Sequence, residues 1–290
     1  MLGSFFNRWP LLFVVLFSNP LLIADLFSSE LKGLNYSFEQ ISLDDGLTQS
    51  TAKCALRDHT GLLWIGTKDG LNCFDGHTMT HYFNNPSDST SIPSNNIFFI
   101  VEDSRHNIWI GTEREMVRYD RANDCFRKIK TKSSFLSFRT ALQMDDRLLF
   151  GSKDGILDYS VKENRFQLIS FKGIVPEISS GYQLLPWRDN EVLVGSRWMG
   201  LFICNLGNGV LTKADFYPES NVMCMYRDRQ GRYWISPYQK GVYCFSRNGD
   251  QLNYYNTQNS GLNNSLILDM IEVDDKLWIG TDGGGINVFD

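Results

Sequence analysis

The chain lacks a positive face. Its net charge is −5 over 290 residues, with 28 Lys and Arg against 33 Asp and Glu and no basic cluster. A nucleic-acid footprint is thereby excluded. After Ser29 no stretch carries apolar residues at helical spacing, and none is long enough to cross a bilayer as a helix. No G-x-S-x-G elbow is present, so nucleophilic catalysis of the hydrolase type has no anchor. Histidine is scarce: His59, His77, His81 and His106 are all there are. The one regular spacing, His77-x-x-x-His81, falls across a turn and a strand, where the rings do not share a face, so no metal site is expected. Cofactors and catalytic residues are likewise expected to be none.

The N-terminus differs from the rest. Arg8 precedes the apolar run Trp9–Phe17, and after Asn19-Pro20 comes Leu21-Leu22-Ile23-Ala24. The run is short for a membrane span and reads as an export signal cleaved between Ala24 and Ser29, or as an anchor that is retained. Residues 1–29 are therefore assigned to targeting. The protein is expected in the periplasm, touching the membrane only through this segment.

Six cysteines in an exported chain suggest disulfides, but their placement opposes it. Cys54 and Cys224 lie four residues before Asp58 and Asp228, and Cys73 and Cys244 share another position in the repeat. Cys54 and Cys73 then occupy strands of one sheet separated by a third, roughly 9–10 Å apart and beyond disulfide reach.

What the chain does have is a repeat. Leu62–Gly76, LLWIGTKDGLNCFDG, reads as a strand, a glycine turn and a returning strand. WIGT recurs at Trp109–Thr112 and Trp278–Thr281, with weaker copies at Leu149–Ser152, Val192–Ser196 and Tyr233–Ser236. The equivalent positions Gly66, Gly111, Gly151, Gly195, Ser236 and Gly280 are 45, 40, 44, 41 and 44 residues apart. A strand-rich period of this length defines propeller blades. The fold class is all-β: a β-propeller of four-stranded antiparallel blades, six repeats in this chain, forming a closed six-bladed ring or part of a seven-bladed one. The propeller is placed at 36–290, with blades at about 47–83, 95–129, 138–171, 180–217, 221–256 and 265–290. Tyr36–Ile41 is expected to supply the outer strand beside Ile286–Phe289. Asp58, Asp103, Asp228 and Asp274 are expected to be turn caps, and Trp64 and Trp278 to be core residues alike.

The pattern Gly46-Leu47-Thr48-Gln49-Ser50, then Asp58-x-x-Gly61-x-Leu63-Trp64-Ile65-Gly66-Thr67-x-x-Gly70-Leu71-x-x-Phe74-Asp75, resembles the two-component regulator propeller repeat. Ser91–Ile97 resembles that repeat's junction between blades, with Ile92 where leucine is usual. The resemblance covers about residues 36–290. It implies the periplasmic sensor region of a hybrid two-component histidine kinase of Bacteroides type, many of which detect oligosaccharides. In such proteins an immunoglobulin-like domain, a membrane helix and kinase modules follow. The chain shows no phospho-acceptor histidine on a helix and no ATP lid, and its stop at Val288-Phe289-Asp290 reads as that of a truncated product. Implied partners are an oligosaccharide, a second copy in a homodimer, or further sensor and kinase domains. The chain is not expected to be an enzyme.

Blade topology puts the B–C and D–A loops on one rim and the A–B and C–D loops on the other. On the first rim two hairpins depart from the plain glycine turn: Arg197-Trp198-Met199 and Pro237-Tyr238-Gln239-Lys240. Exposed aromatic rings beside polar groups suit a sugar, whose C–H face stacks on a ring. Arg197, Trp198, Tyr238, Gln239 and Lys240 are the candidate ligand-binding residues. The competing functions are a propeller enzyme of streptogramin-lyase type, which needs convergent His and Glu side chains on one rim, and a non-catalytic interaction scaffold.

Overall fold

A computed structural model describes residues 40–129, 138–152, 155–173 and 182–290, and no helix occurs among them. Strands β1 (Ala52–Arg57), β2 (Leu63–Thr67), β3 (Leu71–Phe74) and β4 (Met79–Tyr82) pair in sequence order as blade one. Blade two repeats the order with β5 (Ile97–Glu102), β6 (Ile108–Thr112), β7 (Met116–Asp120) and β8 (Cys125–Lys128). Blade three holds β9 (Thr140–Met144), β10 (Arg147–Ser152), β11 (Gly155–Ser160) and β12 (Arg165–Ser170). A two-residue strand, β13 (Lys172–Gly173), then pairs in parallel with β17 (Val210–Lys213) and links blade three to blade four. The rest of blade four is β14 (Tyr182–Pro186), β15 (Glu191–Ser196) and β16 (Gly200–Asn205). Blade five is β18 (Cys224–Arg227), β19 (Tyr233–Ser236), β20 (Val242–Phe245) and β21 (Gln251–Tyr255). Blade six contains β22 (Ile267–Val273), β23 (Lys276–Thr281) and β24 (Gly285–Phe289). The six antiparallel blades follow one another around a ring, and the fold is a β-propeller.

The core lies between blades rather than within them. Trp64, Leu71 and Cys73 of blade one pack on Ile97, Ile110 and Val117 of blade two. The same happens at every later junction, ending with Trp234, Val242 and Cys244 of blade five against Ile267, Met270 and Leu277 of blade six. Middle strands such as β6 and β19 are buried throughout. This is why their sequences are apolar without alternation. The glycine of the WIGT motif marks close approach. A Cβ on Gly66 would stand 2.6 Å from Ile97 of the next blade, and one on Gly195 would stand 2.8 Å from Val222. The Thr or Ser that follows closes the hairpin: its hydroxyl donates to the carbonyl of Gly70, Glu115, Gly155 or Gly285 at 2.7–3.0 Å, and in blade five Ser236, standing in the glycine position itself, donates to Gly241 O at 2.8 Å.

Three aspartates do more than cap turns. Asp58, Asp103 and Asp228 each accept the indole N–H of the tryptophan six residues on, at 2.8, 2.9 and 2.9 Å. Asp274 does not follow this pattern. Val273 faces Lys276 directly, and Asp274 and Asp275 have φ of 49° and 62°, so they form a two-residue turn of type I′. The shorter turn moves the sixth copy out of register with the clamp.

Blade six also corrects the expectation for its tryptophan. Trp64 is 0% exposed, whereas Trp278 is half-buried and shares a cross-strand row with Ile271 and Val288, 58% and 48% exposed. Most of the expected outer strand Tyr36–Ile41 lies outside the described residues. Gln40 and Ile41, which are described, are not in a strand. The targeting segment 1–29 also lies outside them.

All six cysteines are free. Burial pushes the thiols of Cys54 and Cys204 up to about 12 and those of Cys73 and Cys244 up to about 11, so they stay protonated and unreactive. Thiol titration is expected to find six groups after denaturation, with these four reacting slowly in the native protein. Two or fewer groups after denaturation would contradict the strand placement.

Candidate functional site

The hydrogen bonds between loops establish which turns share a rim. The N–H of Gly70, in the B–C hairpin of blade one, donates to Asn95 O in the junction leading to blade two at 2.8 Å. Gly241 in blade five makes the same bond to Ser265 O at 2.8 Å. At the boundary between blades four and five these ties frame a cleft. Val222 N–H donates to Ser196 O at 2.8 Å and Met223 N–H to Ser236 O at 2.7 Å. The junction is thereby clamped between the two hairpins that depart from the glycine turn.

The cleft has a volume of about 450 Å³ and is lined by Arg197, Trp198, Ser220, Asn221, Met223 and Tyr238. Trp198 is 70% exposed and Tyr238 51%, so both rings face solvent while their backbones are held. Ser196 Oγ accepts the N–H groups of Trp198 and Met199 at 3.4 and 3.3 Å. Asn221 Oδ1 accepts Tyr238 N–H at 2.6 Å, and Asn221 O accepts the Tyr217 hydroxyl at 2.8 Å. The arrangement offers two exposed ring faces on held backbones, a guanidinium and short polar side chains, which is stacking plus hydrogen bonding at neutral pH.

Of the five candidate residues, the structure brings Arg197, Trp198 and Tyr238 to this cleft. Gln239 and Lys240 do not line it. Gln239 occupies the hairpin with φ of 55°. Lys240 Nζ is held 2.7 Å from Glu219 Oε2, whose other oxygen accepts the Tyr243 hydroxyl at 3.0 Å. The hydrogen bond and charge of Glu219 raise the Lys240 pKa. The reading from sequence missed Ser220, Asn221 and Met223. The signal was available, since the blade junctions were already placed on this rim.

The other rim holds a cluster that the histidine spacing did not reveal. His59 of blade one and His106 of blade two stack with ring centroids 3.9 Å apart. Their Nδ1 atoms lie 2.5 and 3.4 Å from one oxygen of Glu102. Spacing within one copy does not foretell this cluster: adjacent copies place the three residues at different offsets, and blade packing brings the offsets together. His81 is not part of this cluster, its Nε2 lying 2.5 Å from Gly46 O.

A propeller with a built cleft on one rim defines the class. Segments 91–114 and 217–239 match the two component regulator propeller family. A histidine kinase, P4, of Formosa agariphila is 53% identical over 58 residues, which is 20% of this chain and 4% of that protein. Among solved structures, the extracellular domain of a protein described as a hybrid two-component system from B. thetaiotaomicron superposes with a TM-score of 0.71 at 22% identity, covering 87% of this chain and 35% of that one. The extracellular domain of a one-component system from the same organism gives 0.68 at 20% identity, covering 88% and 37%. At these identities the likeness establishes the fold. The chain spans about a third of the length of those domains.

Proposed function

We propose that this chain is an extracytoplasmic, non-catalytic sensor propeller of a two-component signalling system, and that it takes an oligosaccharide at the cleft between blades four and five. The observation that carries the reading is the pair of exposed rings, Trp198 and Tyr238, held on fixed backbones at the mouth of one cleft. Isolated exposed apolar residues are ordinary, but two large rings fixed on one concavity are a binding feature. The repeat family and the extracellular origin of the structural neighbours support a signalling role and a periplasmic location. The lining of the cleft between blades four and five, Arg197, Trp198, Ser220, Asn221, Met223 and Tyr238, includes neither a histidine nor a carboxylate, which supports binding rather than acid–base chemistry at that cleft.

Calorimetric titration of the chain with a panel of plant and host oligosaccharides tests the reading. At least one is expected to bind without being cleaved. Cleavage of a bound sugar would replace the sensor with the enzyme, and silence across the panel would remove the sugar.

A further inference from the structure

The A–B turns of the propeller contain a clasp that appears twice in different chemical forms. In blades five and six, Glu272 accepts the backbone N–H of Arg229 at 2.8 Å, and Arg229 Nη1 meets Asp275 Oδ1 at 3.0 Å. The clasp closes by complementary charge. In blades one and two, Glu102 accepts the backbone N–H of His59 at 3.0 Å in the same way. Here no guanidinium–carboxylate pair closes the clasp. Two imidazoles and one carboxylate meet, with all three donor atoms within 4.8 Å of one another.

His106 is also set against the local geometry. It occupies the turn position held by Gly61 in blade one and Gly231 in blade five, whose φ values are 93° and 79°. His106 adopts 64° there, a left-handed conformation that side chains other than glycine reach only at a cost. Histidine is among the side chains found more often in this region, but glycine alone would serve the turn. The reason for histidine lies in what the ring meets across the blade boundary.

We propose that His59, Glu102 and His106 form a binding site for a divalent transition-metal ion of the zinc class, bridging blades one and two. Two neutral imidazoles and a carboxylate are a borderline donor set suited to such an ion. The 3.4 Å separation of His106 Nδ1 from Glu102 Oε1 is that of two ligands on one metal with bonds of about 2.0–2.2 Å. His59 Nδ1 lies 2.5 Å from the same oxygen, and its ring, stacked on that of His106, would have to turn to reach a ligand spacing. The backbone N–H of His59 on Glu102 Oε2 is the outer contact that orients the carboxylate. The rings are 36% and 58% exposed, and the site borders a cleft of about 500 Å³ that leaves a fourth position open to water. Arg105, Arg118, Arg121 and Arg127 also line that cleft, with Arg121 paired to Asp58, Arg127 to Asp120, and Arg105 donating to Lys162 O. The inference is independent of the sugar reading, which concerns the other rim.

The test is titration of Zn²⁺ into the native full chain by calorimetry, with His106→Gly and Glu102→Gln as variants. His106→Gly installs the residue of blades one and five, so its fold should hold, as its melting temperature will report. Zinc is expected to bind the unmodified chain in equal proportion and raise its melting temperature. Either substitution is expected to weaken binding by at least about tenfold. Equal affinity in His106→Gly, or no zinc binding by the unmodified chain, would overturn the proposal and leave a hydrogen-bonded clasp only.

Discussion

Trp64→Ala is expected to remove about 3–5 kcal/mol of stability, the range for deleting a large buried aromatic side chain. Trp64 is 0% exposed. Its ring lies 4.9 Å from that of Tyr119, in the next blade, and 5.9 Å from that of Tyr82. The substitution empties a space that two blades share, and neither blade can close it without moving against the other. Trp278→Ala removes the same side chain from the same motif but from a half-buried face, and should cost clearly less. Trp198→Ala, on the rim, should stay within roughly 0.5 kcal/mol. Urea midpoints of the three variants give the ranking. Equal losses in Trp64→Ala and Trp198→Ala would contradict the division into core and rim.

Asp58→Asn is expected to cost about 3 kcal/mol, because it breaks a buried charged hydrogen-bond network and leaves its partners in place. The Asp58 side chain is fully buried, and Arg121 Nη2 lies 2.6 Å from its Oδ2. Its oxygens also accept the Trp64 indole at 2.8 Å and the N–H and hydroxyl of Thr60 at 2.9 and 2.6 Å. Burial alone would raise the Asp58 pKa, but the hydrogen bonds from Thr60, Trp64 and Arg121 outweigh it and hold the carboxyl well below its usual range. Burial of Asp228 is outweighed in the same way by Trp234 and Arg232. The sign follows from proton counting. Below about pH 5 the unfolded chain takes up protons at these aspartates before the folded one does, so the stability they contribute is present above that range and declines as pH falls. The urea midpoint should therefore drop on acidification less steeply in Asp58→Asn than in the unmodified protein. Parallel slopes would contradict the assignment.

The blades were legible because their signals repeat: the WIGT motif, the turn aspartates and the cysteine positions each recur in register. The arrangement of a single copy determines a hairpin, and recurrence at 40–45 residues determines a propeller. What was not legible depends on neighbours. Trp278 has the same local sequence as Trp64, yet its burial is decided by what covers the blade face. Lys240 carried the right chemistry for a ligand, but Glu219, 21 residues earlier, holds it. His59, Glu102 and His106 share no spacing rule, since each lies at a different offset of its own copy. Arg197, Trp198 and Tyr238 could be placed together because two departures from the glycine turn fell in consecutive blades on one rim.

The central claim is that these three residues form a sugar-binding cleft, and one titration series tests it most directly. With an oligosaccharide that binds the unmodified chain, affinity is measured for Trp198→Ala and Tyr238→Ala alongside their melting temperatures. The account predicts unchanged melting temperatures and binding weakened about three- to tenfold by each substitution, the worth of one ring contact. Affinity unchanged in both variants would contradict it.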